Sequence, residues 1–167
     1  LSMAWFAQIF FYDASIPHRY FGLIWTILNG MVALGSFSSF YLSKRFGIRQ
    51  TLILILVFLS GGYFVASQVI SIYGVIFLLL FYFARGAAHP FLKERINTST
   101  SSEVRATVFS VRSLMIRLMF ASLGPLLGYI TKHISLSFAL IMTGTTILIP
   151  GSILLLLMNK KKGLKSP

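Results

Sequence analysis

Two arginines stand where an apolar chain should carry no charge. Residues 104–129 read VRATVFSVRSLMIRLMFASLGPLLGY and hold Arg112 and Arg117 within the run. A cation at the centre of a bilayer costs at least ~2.5–3.5 kcal/mol. Each arginine must therefore reach an interface, a buried partner or a water-filled cavity. Arg117 lies about 18 Å along a helix from Arg105, close to the depth of a bilayer midplane. Two readings stand for it: lining a cavity that attracts an anionic group, or donating to carbonyls of a neighbouring helix. Arg112 lies about 10 Å in and about 140° around the helix, where snorkelling to an interface accounts for it. Gln8 and Asn29 are neutral polar groups in other apolar runs, suited to lining a cavity or to hydrogen bonding between helices.

Acid–base, thiol and metal chemistry have little to work with. Asp13, Glu94 and Glu103 are the only acids, and all fall outside the apolar runs. No carboxylate is therefore placed for intramembrane proton or ion coupling. His18, His89 and His133 are far apart, and cysteine is absent, so no metal ligand set is expected. No glycine-rich phosphate loop opens a βαβ unit. We expect no catalytic residues, no metal and no cofactor. A membrane-embedded enzyme is the weakest of the available functions.

These side chains require elements of membrane length to hold them. Of 167 residues, 56% are hydrophobic and 11% charged, with a mean hydropathy of +0.83. A soluble domain needs a far more charged surface. The pattern predicts an all-α polytopic transmembrane bundle as one domain over residues 1–167. Apolar runs of about twenty residues suffice to span, and the expected spans are 20–42, 51–69, 71–88, 104–129 and 137–158, preceded by a partial helix at 1–12. A polar loop is expected at 13–19, a basic turn at 43–50, a polar segment at 89–103 whose first part can continue as a helix and whose second part is a loop, a short turn at 130–136, and a frayed basic tail at 159–167. Laid out at ~100° per residue, Ser110, Ser113, Arg117, Ala121, Gly124 and Gly128 form one narrow stripe. Gly124 and Gly128 on it suit close helix packing. Gly30 and Gly35 suit it too, and the Gly61–Gly62 pair is expected to kink its span. Tyr82, Arg85 and His89 share a face and read as interface anchors.

The net charge of +12 sits in short patches between apolar runs. That arrangement suits topology signals rather than nucleic acid, which is not expected as a partner. With alternating turns, one side collects Lys44, Arg45, Arg49, Arg85, Lys93, Arg95, Arg105, Lys160, Lys161, Lys162 and Lys165, and the other only Arg19 and Lys132. The rich side is expected to be cytoplasmic, with the C-terminus inside. No basic segment precedes an apolar stretch at the start, so no signal peptide is expected.

Three stretches resemble the second half of a major facilitator superfamily transporter. Leu42, Arg45, Gly47 and Arg49 match the basic loop between the second and third helices of each half, while Phe40 and Lys44 replace its usual Gly and Asp. The run 105–128 is similar to the family's eleventh helix. Gln8, Gly22, Asn29 and Ser36 are similar to the end of the seventh helix and the eighth. The resemblance implies a C-terminal half-domain, spans seven to twelve, with the N-terminal half, the bilayer and a small solute as partners. It also implies a multi-pass protein of the cell membrane, exporting or importing solute by alternating access. Gln8, Asn29 and Arg117 would then line the cavity, and Arg45, Gly47 and Arg49 would form the cytoplasmic loop motif. The alternative is a non-transporting membrane assembly or interaction protein whose polar residues serve only to pack helices.

Overall fold

The computed structural model describes residues 2–163, with side chains to Met158. Its elements are all helical: α1 (Ser2–Asp13), a 3-10 turn (His18–Tyr20), α2 (Phe21–Gln68), α3 (Gly74–Ser99), α4 (Ser102–His133) and α5 (Leu136–Gly163). Four segments are long and apolar enough to cross a membrane: His18–Gln68, Gly74–Ser99, Ser102–His133 and Leu136–Met158. The chain is a multi-pass membrane protein built as a helix bundle.

The helices outrun the expected spans. The first part of the polar segment 89–103 does continue as helix, and the loop expected in its second part shrinks to Thr100 and Ser101 between α3 and α4. The turn expected at 130–136 shrinks to Ile134 and Ser135. Charge marks where a chain leaves hydrocarbon, but Lys, Arg and Glu are good helix formers and do not end the backbone ladder. For the same reason α5 carries its helix through Gly163, into the tail expected to fray; residues 164–167 lie outside the described residues. Pro90, Pro125 and Pro150 all sit inside helices, as neighbouring elements in membrane bundles permit.

The basic turn expected at 43–50 is helical except at one residue. Gly47 adopts φ 74° and ψ 171°, and the backbone on both sides is helical. That conformation is almost confined to glycine. It reverses the chain. Helix rise would separate Leu42 and Thr51 by about 13 Å, yet Thr51 Oγ1 lies 3.3 Å from the Leu42 carbonyl oxygen and donates to the Gly47 carbonyl at 2.7 Å. Leu42, Thr51, Ile55 and Phe58 also line one crevice with Leu80 and Ala84 of α3. α2 is therefore a hairpin of two arms, 21–46 and 48–68. The Gly61–Gly62 pair produces no kink: both residues stay helical, and Gly62 accommodates the Phe81 side chain.

Packing fixes the directions. Gly144 of α5 lies on Tyr63 and Phe64, and Gly151 on Leu56, so α5 runs antiparallel to the second arm. Ser2 meets Tyr63, and Phe10 reaches Gly74 beside Val69, so α1 runs parallel to that arm. α4 returns from α5 through a two-residue turn and shares α1's direction. Consequently Lys44, Arg45, Arg49, Lys93, Arg95 and Arg105 gather at the Gly47 end of the bundle. Asp13, Arg19 and Lys132 lie at the other.

α1 forms the centre of the distal end. Phe6, Phe10 and Phe11 are fully buried. A relay of edge-on rings runs Phe21, Phe11, Trp25, Tyr82, Phe81, Tyr63, with centroids 5.1–6.1 Å apart. It joins α1, both arms of α2 and α3, each contact adding roughly 0.5–1.5 kcal/mol beyond area burial. The Ser2 Oγ–Tyr63 hydroxyl hydrogen bond, 2.7 Å, ties the start of α1 to the second arm. Bonds of this kind in membranes average ~0.6 kcal/mol. A double-mutant cycle of Ser2→Ala and Tyr63→Phe, read by unfolding in micelles, should return a coupling of that size. Strict additivity would show that the contact contributes nothing.

Candidate functional site

α4 divides into two unlike halves. Gly124, Leu127 and Ile130 are its buried residues, and nothing from Ser102 to Leu123 is buried. The distal half is seated by α1: a Cβ on Gly128 would meet the Trp5 ring at 2.7 Å. Trp5 also faces Phe120, Ala121, Gly124 and Pro125 across an open pocket. The small residues let the indole in, and among the described residues nothing buries the helix beyond it. Ser110, Ser113, Arg117 and Ala121, the upper part of the polar and small stripe, are all exposed, and Arg112 is half-buried.

Gln8 is exposed on α1, on the same strip as Trp5 and Tyr12. Asn29 is exposed on the first arm of α2, and its Nδ2 donates to the Trp25 carbonyl at 2.9 Å. That bond satisfies one amide proton and leaves the amide oxygen free of protein partners among the described residues. Gly22, Thr26, Asn29, Ala33 and Ser36 recur at helical spacing and are all exposed, giving α2 its own polar and small stripe.

The three residues do not form one cluster. Arg117 precedes Gly128 by eleven residues, so it stands roughly 16 Å nearer the Gly47 end than the Trp5 contact. Gln8 lies about 4–5 Å beyond Trp5 in the opposite direction. Gln8 and Arg117 are thus about 20 Å apart along the bundle. Asn29 shares the distal half with Gln8: it lies about 27 Å from Gly47, and Tyr63 about 24 Å. The arrangement is a long uncovered face with polar groups at different depths. It can exchange hydrogen bonds and attract anions, but it holds no acid, base and nucleophile together.

Tyr82 and Arg85 depart from the anchor role expected of them. Tyr82 is fully buried against Trp25 and Phe81, and among the described residues its hydroxyl has no hydrogen-bond partner. The Arg85 guanidinium lies 5.4 Å from the Tyr82 ring centre. Arg85 is half-buried on the same α3 turn as Gly86, which packs on Val32 of α2. An aromatic followed three residues later by a cation was the available sequence signal. Periodicity could not tell an interior face from an interfacial one. His89, one turn on, is exposed.

At the reversal, Lys44, Arg45 and Arg49 are exposed, and Arg45 Nη1 donates to the Tyr41 hydroxyl at 3.3 Å. The residues named for close packing also sort by geometry. Gly30 has open space where a side chain would be, and a Cβ on Gly124 would meet only Phe120 of its own helix, at 3.9 Å. Gly35 does make a tight crossing, and its counterpart on α3 is Gly86. Among the described residues no group of three or more His, Cys, Asp or Glu could hold a metal ion. No protein family, no curated protein and no solved structure matches the chain.

Proposed function

We propose that this bundle is the C-terminal half of a secondary transporter of the major facilitator type. It would rock against an N-terminal half around a central cavity to move a small solute across the cell membrane. Counting the arms of α2 separately and α1 as a part-length member gives the six rods such a half requires. The basic Gly47 end would face the cytoplasm, the C-terminus with it.

One observation carries the reading. A helix of membrane length presents an arginine and two serines on a face that no part of the described chain covers. In hydrocarbon that face would be costly; beside water in a cavity between two halves it would not. The α2 stripe through Asn29 supports the same cavity from a second helix.

Thiol labelling tests this directly. The chain has no cysteine, so Gln8→Cys, Asn29→Cys and Arg117→Cys each introduce one into this half of the full-length protein. A membrane-impermeant, hydrophilic maleimide should reach all three, with reactivity at a given position differing between the two sides of the membrane. Lipid-facing thiols stay protonated and unreactive towards such a reagent. Silence at all three positions from both sides would sink the cavity. It would favour an assembly protein, for which the uncovered face of α4 is a contact surface for another membrane protein.

A further inference from the structure

The outer face of α2's first arm changes character abruptly at one end. Leu23, Ile27, Leu34, Phe37 and Tyr41 are exposed and recur at helical spacing, so they form one apolar strip about 27 Å long. Phe37 is 85% exposed. The strip ends in two cations. At ~100° per residue, Lys44 and Arg45 fall on either side of Tyr41. With Phe40 and Tyr41 they line a shallow pocket at the Gly47 end. Arg45 spends one N–H on the Tyr41 hydroxyl and keeps its guanidinium 5.7 Å from the Phe46 ring centre. Arg49, just past the reversal, is exposed at the same end.

Glu94 and Glu103 lie at the same end of the bundle, yet among the described residues no ion pair joins either of them to Lys44 or Arg45. Between Asp13 and Glu94 the chain has no acidic residue. An aromatic-floored cationic pocket at the mouth of a long lipid-length apolar strip fits an amphiphile: acyl chain along Phe37 and Leu34, anionic head between Lys44 and Arg45. We propose that Phe37, Tyr41, Lys44 and Arg45 form a binding site for an anionic phospholipid, which the phosphodiester head occupies at the Gly47 end. The strip favours a lipid over a protein carboxylate, because a carboxylate would use the cations and leave the apolar strip without a role. The inference requires only that the chain resides in a membrane and does not depend on transport.

Each cation near an anionic headgroup contributes about a fivefold preference, so the pair should give roughly twenty-fivefold. Native mass spectrometry of the delipidated full-length protein tests it, with phosphatidylglycerol and phosphatidylcholine of matched chains added in turn. Phosphatidylglycerol should remain bound in preference to phosphatidylcholine, and the preference should fall at least tenfold in Lys44→Gln/Arg45→Gln. The charge-preserving Lys44→Arg/Arg45→Lys should retain it, and so should Arg117→Gln, whose charge lies elsewhere. Because the charge-removing pair could disturb topology, Phe37→Ala/Tyr41→Ala is a second arm. It should weaken retention of both lipids while leaving their ratio above one. Equal retention of the two lipids by the unaltered protein would overturn the proposal, and a protein carboxylate would then be the better occupant. An unchanged preference in Lys44→Gln/Arg45→Gln would overturn it as well.

Discussion

Gly86→Ala should destabilise the protein by about 2–3 kcal/mol, and Gly86→Val by more, the cost of forcing atoms into a closed contact. A Cβ at Gly86 would run into the Val32 carbonyl, and its next nearest neighbours, Val32 C and Cα at 2.8 Å, are backbone too. Across the same crossing, a Cβ at Gly35 would strike the Phe83 carbonyl and lie 3.0 Å from the Ala87 nitrogen. Flexible side chains can swing away from an added methyl, but helix backbones must separate. Separation would also break the hydrogen bond from Ser36 Oγ to the Gly86 carbonyl, 3.1 Å. It would loosen the Trp25–Tyr82 ring contact as well. Gly22, Gly30 and Gly61 are the internal controls, since nothing lies within 4 Å of a Cβ at any of them. Alanine there should be neutral or gain up to ~1 kcal/mol from helix propensity. Unfolding of the full-length protein by denaturing detergent, followed by tryptophan fluorescence, measures both groups. If Gly86→Ala behaves like Gly30→Ala, the two helices do not meet at their backbones.

Gly47→Val should cost at least about 1–3 kcal/mol, because a β-branched residue cannot easily hold φ 74° with ψ 171°. Its larger consequence would be topological. With the strain relieved, α2 would tend to run on as one helix of about 72 Å, more than twice the ~30 Å hydrocarbon core. The Thr51 clasp on the Leu42 and Gly47 carbonyls would open. A short bifunctional thiol reagent joining Leu42→Cys to Thr51→Cys reads this out. Linkage should be efficient with Gly47 in place and fall at least fivefold with valine, against a ~13 Å axial separation in a straight helix. Alanine should give an intermediate loss, since it lacks the second branch but still carries a Cβ. Full linkage in the valine variant would mean that the reversal is held by packing against α3 rather than by the glycine.

Solvent class and element class were legible in the residues alone. Long apolar runs with few charges leave backbone polar groups nowhere to bond except within helices, and that argument needs no tertiary information. The exceptional residues were legible too: Arg117, Asn29 and Gln8 stand out because charge and amide groups are costly in hydrocarbon wherever the helix ends up. Helix ends were less legible. Lys93, Glu94 and Arg95 close a membrane span but not a helix, so α3 runs on to Ser99.

Helix packing supplies what periodicity cannot carry. Composition marks Gly30, Gly35, Gly86 and Gly124 alike, yet only Gly35 and Gly86 sit where two helix backbones meet. Tyr82 and Arg85 share one helical face, and only the packing of Trp25 against Tyr82 shows that this face turns inward. Likewise the stripe on α4 is continuous in sequence, but Trp5 seats its distal end and leaves Arg117 uncovered. In a soluble protein, apolar residues point to the core. Here apolar residues face both lipid and neighbouring helices, so hydrophobicity loses its power to say which side is inside, and only the arrangement of the helices restores it.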